Sequence, residues 1–195
     1  MTDDDVIETV EIPAAGDAER LWRDGCPRRF ADATPGDLDT PVGEAAGEWL
    51  DGDGRNLLLL GHVGVGKTHA ALAAARAWLQ AYQRPWWFTP VPNLLAQLRP
   101  SAEHPNVALD RAISVPLLVL DDLGGERPTD WTLEWLFIIV NQRWLYQRPT
   151  VATSNLAVDN GQGPLPDAIG ARTYSRLVQD AVVVQMAGRD LRRVV

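Results

Sequence analysis

The residues best equipped for chemistry lie in one run: Gly61, His62, Val63, Gly64, Val65, Gly66, Lys67 and Thr68, followed by His69. A glycine, four residues and then Gly-Lys-Thr is the spacing of a loop that wraps phosphate. Gly64 and Gly66 let backbone N–H groups turn inward, and a helix opening near Lys67 adds its positive end. Lys67 would bridge the β- and γ-phosphates of ATP, and the Thr68 hydroxyl would bind Mg²⁺. A second group is Asp121 and Asp122, which follow the apolar run Leu117 to Leu120. Two acids at the carboxyl end of a buried strand stand on the sheet edge where ligands bind. Asp121 suits Mg²⁺ through water, and Asp122 suits a general base that polarises the attacking water. Asn155, after Thr153 and Ser154, could reach a γ-phosphate or its water if its strand lay between the other two. The three histidines, His62, His69 and His104, have no acidic or Cys partners at metal-ligand spacing, so no zinc site is assigned.

The elements that must carry these groups alternate. Asn56 to Gly61 is a short apolar run bounded by glycine, the pattern of a strand buried on both faces. Thr68 to Tyr82 repeats Leu72, Ala75, Leu79 and Tyr82 at helical spacing. Further strands are expected at Trp86 to Thr89, Ser114 to Leu120, Thr150 to Thr153 and Ala181 to Gln185. Helices are expected at Pro41 to Leu50, Val91 to Leu98, from Pro128 through Arg143, and at Ile169 to Leu177. Such alternation indicates an α/β domain with a mostly parallel five-stranded sheet. The eight tryptophans include the i,i+4 pair Trp131 and Trp135, and Trp78 stands likewise with Tyr82, which favours packing of helices on the sheet over base stacking.

With 195 residues, 46% hydrophobic and 23% charged, the chain suits one globular domain of the usual size, about 100–200 residues. Its apolar runs fall short of the roughly 20 residues a membrane span needs, and Met1 to Asp5 is acidic where a signal peptide would be basic. A single cysteine, Cys26, cannot form an internal disulfide. A cytoplasmic protein without a membrane is the expectation. Residues 1–20 hold seven acidic groups against Arg20, and so carry −6 of the formal net charge of −8. Residues 1–25 are therefore read as an acidic, flexible tail and residues 26–195 as the domain.

Taken in order, Gly64 to Ala71, Leu117 to Gly124, Asn141 to Trp144, Pro149 to Leu156, Ser175 to Leu177 and Gly188 to Arg192 resemble the DnaC/DnaI helicase loaders and the related IstB transposition ATPases, which are AAA+ proteins. The likeness runs from about residue 26 to 193. It implies a P-loop three-layer fold in which the Asn155 strand lies between the Lys67 and Asp121 strands, with Asn155 as sensor 1. By the same resemblance Arg176 is the arginine finger reaching a neighbouring subunit's ATP, with Arg172 the other candidate, and Arg192 is sensor 2. Pro27 to Thr34 resembles the segment that braces the adenine, and Asn93 to Arg111 the region facing single-stranded DNA, where Arg99, Arg111 and His104 are its positive or titratable groups.

The implied function is a Mg²⁺-dependent ATPase of DNA replication that assembles into an oligomer and binds single-stranded DNA and a replicative helicase. The alternative is an ATPase that regulates target DNA in transposition. Residues 1–25 stand where loaders of this type carry a separate helicase-binding domain. The chain runs only 40 residues beyond Asn155, so little or no helical lid is expected.

Overall fold

The computed structural model describes residues 17–52, 56–159 and 161–188. Its elements in chain order are α1 (Ala18–Gly25), α2 (Thr40–Asp51), β1 (Leu57–Leu60), α3 (Lys67–Tyr82), β2 (Trp86–Pro90), α4 (Val91–Gln97) and α5 (Pro105–Ser114). They continue with β3 (Leu117–Asp121), α6 (Asp130–Leu145), β4 (Thr150–Ser154), α7 (Pro164–Ile169), α8 (Ala171–Val178) and β5 (Val182–Gln185). The five strands form one sheet in the order β2-β3-β4-β1-β5, every pair parallel.

β1 and β4 are buried along their whole length, which is why Leu57 to Leu60 reads as an unbroken apolar run. Successive side chains go to opposite faces. Leu57, Leu59, Leu117, Val119 and Val151 pack with α1, α2 and α3, while Leu58, Leu60, Leu118, Leu120 and Ala152 pack with residues of α4 to α8. The result is a three-layer α/β domain. α3 is lined by buried Ala70, Ala71, Ala73, Ala74 and Ala75, whose small side chains let the helix lie close on the sheet.

Three helices differ from the sequence expectation. The flexible-tail reading of residues 1–25 is corrected for its last third: Asp17 caps α1 by accepting from the Glu19 N–H, and Leu21 and Trp22 are buried. Trp22 stacks on Trp86 of β2 with ring centroids 5.3 Å apart, so the helix is part of the core. Residues 1–16 lie outside the described residues. α5 and α7 each open on a proline, which reads as a break along the chain yet is tolerated where a helix begins.

Of the tryptophans, Trp22, Trp49, Trp78 and Trp86 are buried, and Trp87, Trp131, Trp135 and Trp144 are half-buried. Trp78 meets Tyr82, and Trp131 meets Trp135, as their i,i+4 spacing requires. No helix among the described residues is long and apolar enough to cross a membrane.

Candidate nucleotide site

Three strand ends and one helix start meet at the carboxyl edge of the sheet. β1 runs into the glycine loop, whose Gly64 and Gly66 have φ of 89° and 93°, a conformation only glycine adopts freely. Gly66 is the residue from which α3 starts, with no side-chain cap, so the first N–H groups of α3 are left for a phosphate. His62 and Val63 stand exposed on the loop and Val65 is buried beneath it.

Lys67 is buried and turns its ammonium back across the loop. Nζ donates to the carbonyls of Gly61 and His62, both at 2.8 Å, and to Asn155 Oδ1 at 2.7 Å. The Thr68 hydroxyl donates to the Asp121 carboxylate, 2.9 Å from Oδ1 and 3.2 Å from Oδ2. Asn155 Nδ2 donates to Asp122 Oδ1 at 2.6 Å. One amide thus touches both the lysine and the second acid. It can do so because β4 lies between β3 and β1, the order implied by the resemblance.

The turn after β3 shapes the acids. Asp122 has φ of 62°, uncommon for a residue with a side chain, and the next residue but two is Gly125. A Cβ on Gly125 would lie 2.9 Å from Asp122 Oδ2, so the missing side chain leaves that oxygen room. Beyond the turn, burial and then the charge of Asp122 push the Glu126 carboxyl above its usual range, while Arg99 pulls it down. Thr153 sits beneath both acids: its Oγ1 is 2.7 Å from Asp121 Oδ1 and 3.0 Å from the Asp122 N. Sequence reasoning gave neither Glu126 nor Thr153 a role of its own, because a Thr within a strand carries no signal beyond β preference.

Before the loop, the segment from Phe30 to Asp37 meets the first turn of α3. His69 Nε2 lies 3.2 Å from Asp37 Oδ2, and its ring is 6.4 Å from that of Phe30. The Asp37 carboxyl is held below its usual range chiefly by the Thr34 backbone N–H.

The arginines divide. Arg176 lies with its guanidinium 3.8 Å from the centre of the Trp144 ring, and Arg172 lies 4.6 Å from that of Phe137. Both therefore rest on α6, and neither joins the Lys67 cluster. Arg192 lies outside the described residues. Arg111 is not a free cation: it stacks over Trp87 at 4.5 Å, and burial lowers its pKa.

Residues 42–194 match the family described as IstB-like ATP binding protein. The chain belongs to that ATP-binding family. It is 29% identical over 141 residues to the phage-like element PBSX protein XkdC of Bacillus subtilis, covering 70% of this chain and 53% of that one. With the replicative helicase loader DnaI of the same organism it shares 28% over 152 residues, 72% of this chain and 49% of that one. An ATP-binding protein in an insertion sequence of Mycobacterium tuberculosis is 30% identical over 153 residues, 76% of this chain and 59% of that one. The chain thus spans about half the length of these relatives. Among solved structures it superposes on the DnaC helicase loader with a TM-score of 0.72 at 22% identity, covering 83% of this chain and 100% of that one. DnaI gives 0.69 at 26%, covering 85% and 94%. The fold is that of the AAA+ P-loop domains.

Proposed function

We propose that the protein is a Mg²⁺-dependent ATPase of the helicase-loader type, which binds single-stranded DNA and a replicative helicase as an oligomer. The observation that carries the ATPase part is the Asn155 amide, bonded at once to Lys67 and to Asp122. A group that senses the γ-phosphate has to stand between the residue that binds it and the residue that activates water.

The Thr68 hydroxyl and the Asp121 carboxylate, in contact with each other, form the hard oxygen set that suits Mg²⁺. When bound, Mg²⁺ would offset charge on the β- and γ-phosphates. Lys67 exchanges its bonds to the loop carbonyls and Asn155 for bonds to phosphate oxygens. The freed Asn155 Oδ1 then accepts from the attacking water while its Nδ2 keeps Asp122 in place. Asp122, through Oδ2, takes the proton from that water as it attacks the γ-phosphorus, and the bond from that phosphorus to the β–γ bridging oxygen breaks to release ADP and inorganic phosphate. Phe30, His69 and Asp37 brace the adenine end. Arg176 leaves Trp144 to reach the ATP of a neighbouring subunit, so turnover depends on assembly.

The loader reading is supported by the relatedness to DnaI and by the DnaC superposition. A second reading, an ATPase that regulates target DNA in transposition, is favoured by the family description and the insertion-sequence relative. Tagged Asp122→Asn in source-cell extract, with ATP and Mg²⁺, separates the two by mass spectrometry of what it recovers, with Lys67→Ala as control. ATP-dependent recovery of a replicative helicase supports the loader, and recovery of a transposase supports the second reading and removes the first.

A further inference from the structure

Thr153 is the fourth residue of β4 and is 2% exposed. The regular register between β3 and β4 ends at Leu120 opposite Ala152, one step before the first of the two acids. Past that point the strands are joined differently. The Leu123 N–H returns to the Thr153 carbonyl at 2.8 Å, and the Thr153 hydroxyl fills the gap between. An ionised Asp121 can only accept, so the hydroxyl must give its proton to Asp121 Oδ1, at 2.7 Å. Its lone pairs are then free for the Asp122 N–H at 3.0 Å. The direction of both hydrogen bonds is fixed by chemistry.

From this geometry we propose that Thr153 is the positioning residue for both carboxylates. The inference rests on the ATPase reading and deepens it. The hydroxyl holds Asp121 so that its carboxylate faces Thr68, and Oδ1 then receives both threonine hydroxyls. Thr153 Oγ1 in turn accepts from the N–H of Asp122, whose backbone sits in the left-handed region and whose side chain must reach Asn155. Without it the Asp121 carboxylate can rotate away from Thr68, and the turn that aims Asp122 loses its anchor. Valine keeps the branched shape and the strand preference but supplies neither bond. Serine supplies both.

The test uses the full chain, with a fluorescent ATP analogue to measure affinity with and without Mg²⁺ and steady-state turnover alongside. In Thr153→Val, affinity without Mg²⁺ stays at the wild-type value, since Lys67 and the glycine loop are untouched. The extra affinity that Mg²⁺ confers on wild type falls by about tenfold, the worth of a hydrogen bond to a charged group. With the acids misaligned, kcat falls by roughly 10–100-fold, and KM measured with Mg²⁺ rises in step with the lost affinity. Thr153→Ser restores the Mg²⁺ effect and kcat. A wild-type Mg²⁺ response and kcat in Thr153→Val overturn the proposal. So does loss of Mg²⁺-free affinity in Thr153→Val, which marks a folding role only. A wild type whose affinity responds to Mg²⁺ but which never turns over sinks the ATPase reading alone, and the Mg²⁺ response still decides for or against Thr153. A wild type without either property removes both.

Discussion

Asn155 joins the two halves of the site, so the contacts of single atoms decide what the cluster can do. Its Oδ1 holds Lys67 and its Nδ2 holds Asp122, and the far oxygen of Asp122 is left room by Gly125. Gly125→Ala puts a methyl group 2.9 Å from that oxygen. Displacing a reacting group by a fraction of an ångström should lower turnover by roughly 10–100-fold and leave ATP affinity unchanged. Steady-state kinetics beside equilibrium binding checks this, and a fall in affinity without a fall in kcat would contradict it. A second residue-scale prediction concerns Cys26, which is half-buried with Sγ 3.5 Å from the carbonyls of Pro27 and Phe30. Burial pushes its thiol up to about 11, against the partial opposition of Arg76. Only the thiolate is nucleophilic, so native Cys26 should alkylate far more slowly than the unfolded chain at pH 8. Because the folded value is raised, the stability tied to the protonated thiol is complete below the unfolded value near 9 and lost as pH rises toward about 11. A pH series of alkylation rates on native and unfolded protein measures both ends.

Elements position these residues, and Arg143 shows how they are tied at the opposite end of the sheet. It is 1% exposed, on the last turns of α6, and donates to the Thr150 hydroxyl and to the carbonyls of Ala112, Ile113, Val115, Pro116 and Pro149. One guanidinium therefore ties α5 and α6 to the starts of β3 and β4. Burial lowers its pKa to about 9, which still leaves it a cation at neutral pH. Arg143→Leu strands those carbonyls and should lower the unfolding free energy by roughly 3–5 kcal/mol in urea titration. A loss below about 1 kcal/mol, the worth of an exposed pair, would show that the links are weak.

At this scale the sequence is uneven to read. β1 and the Leu117–Leu120 part of β3 were legible because strands buried on both faces read as unbroken apolar runs, and the Lys67 and Asp121 groups stood out by their motif spacing. The partnership of Asn155 with Lys67 depends on strand order, which a resemblance implied and no local pattern shows. α1 was hidden because it adjoins an acidic stretch and offers a buried face of only Leu21 and Trp22. Thr153 and Arg143 are silent in sequence, since their meaning lies in bonds to residues about 30 positions away, roughly the length of a strand-helix-strand unit.

At the scale of the whole molecule, the arginine proposed to act on a neighbour's ATP stands apart from the cluster. Arg176 is stacked on Trp144 within its own subunit and joins neither Lys67 nor Asp122. If assembly carries it to a neighbour, Arg176→Ala binds ATP normally and forfeits roughly 10³-fold of assembly-stimulated turnover. Turnover per subunit against protein concentration measures that. Unchanged stimulation in Arg176→Ala would pass the role to Arg172 or to no arginine of α8.

The central claim is that the Lys67, Asp121, Asp122 and Asn155 cluster binds and hydrolyses ATP with divided roles. Equilibrium ATP binding and phosphate release, measured together on wild type, Lys67→Ala and Asp122→Asn, test it most directly. The expected result is binding and turnover in wild type, neither in Lys67→Ala, and binding without turnover in Asp122→Asn. Full turnover in Lys67→Ala, or in Asp122→Asn, would contradict it.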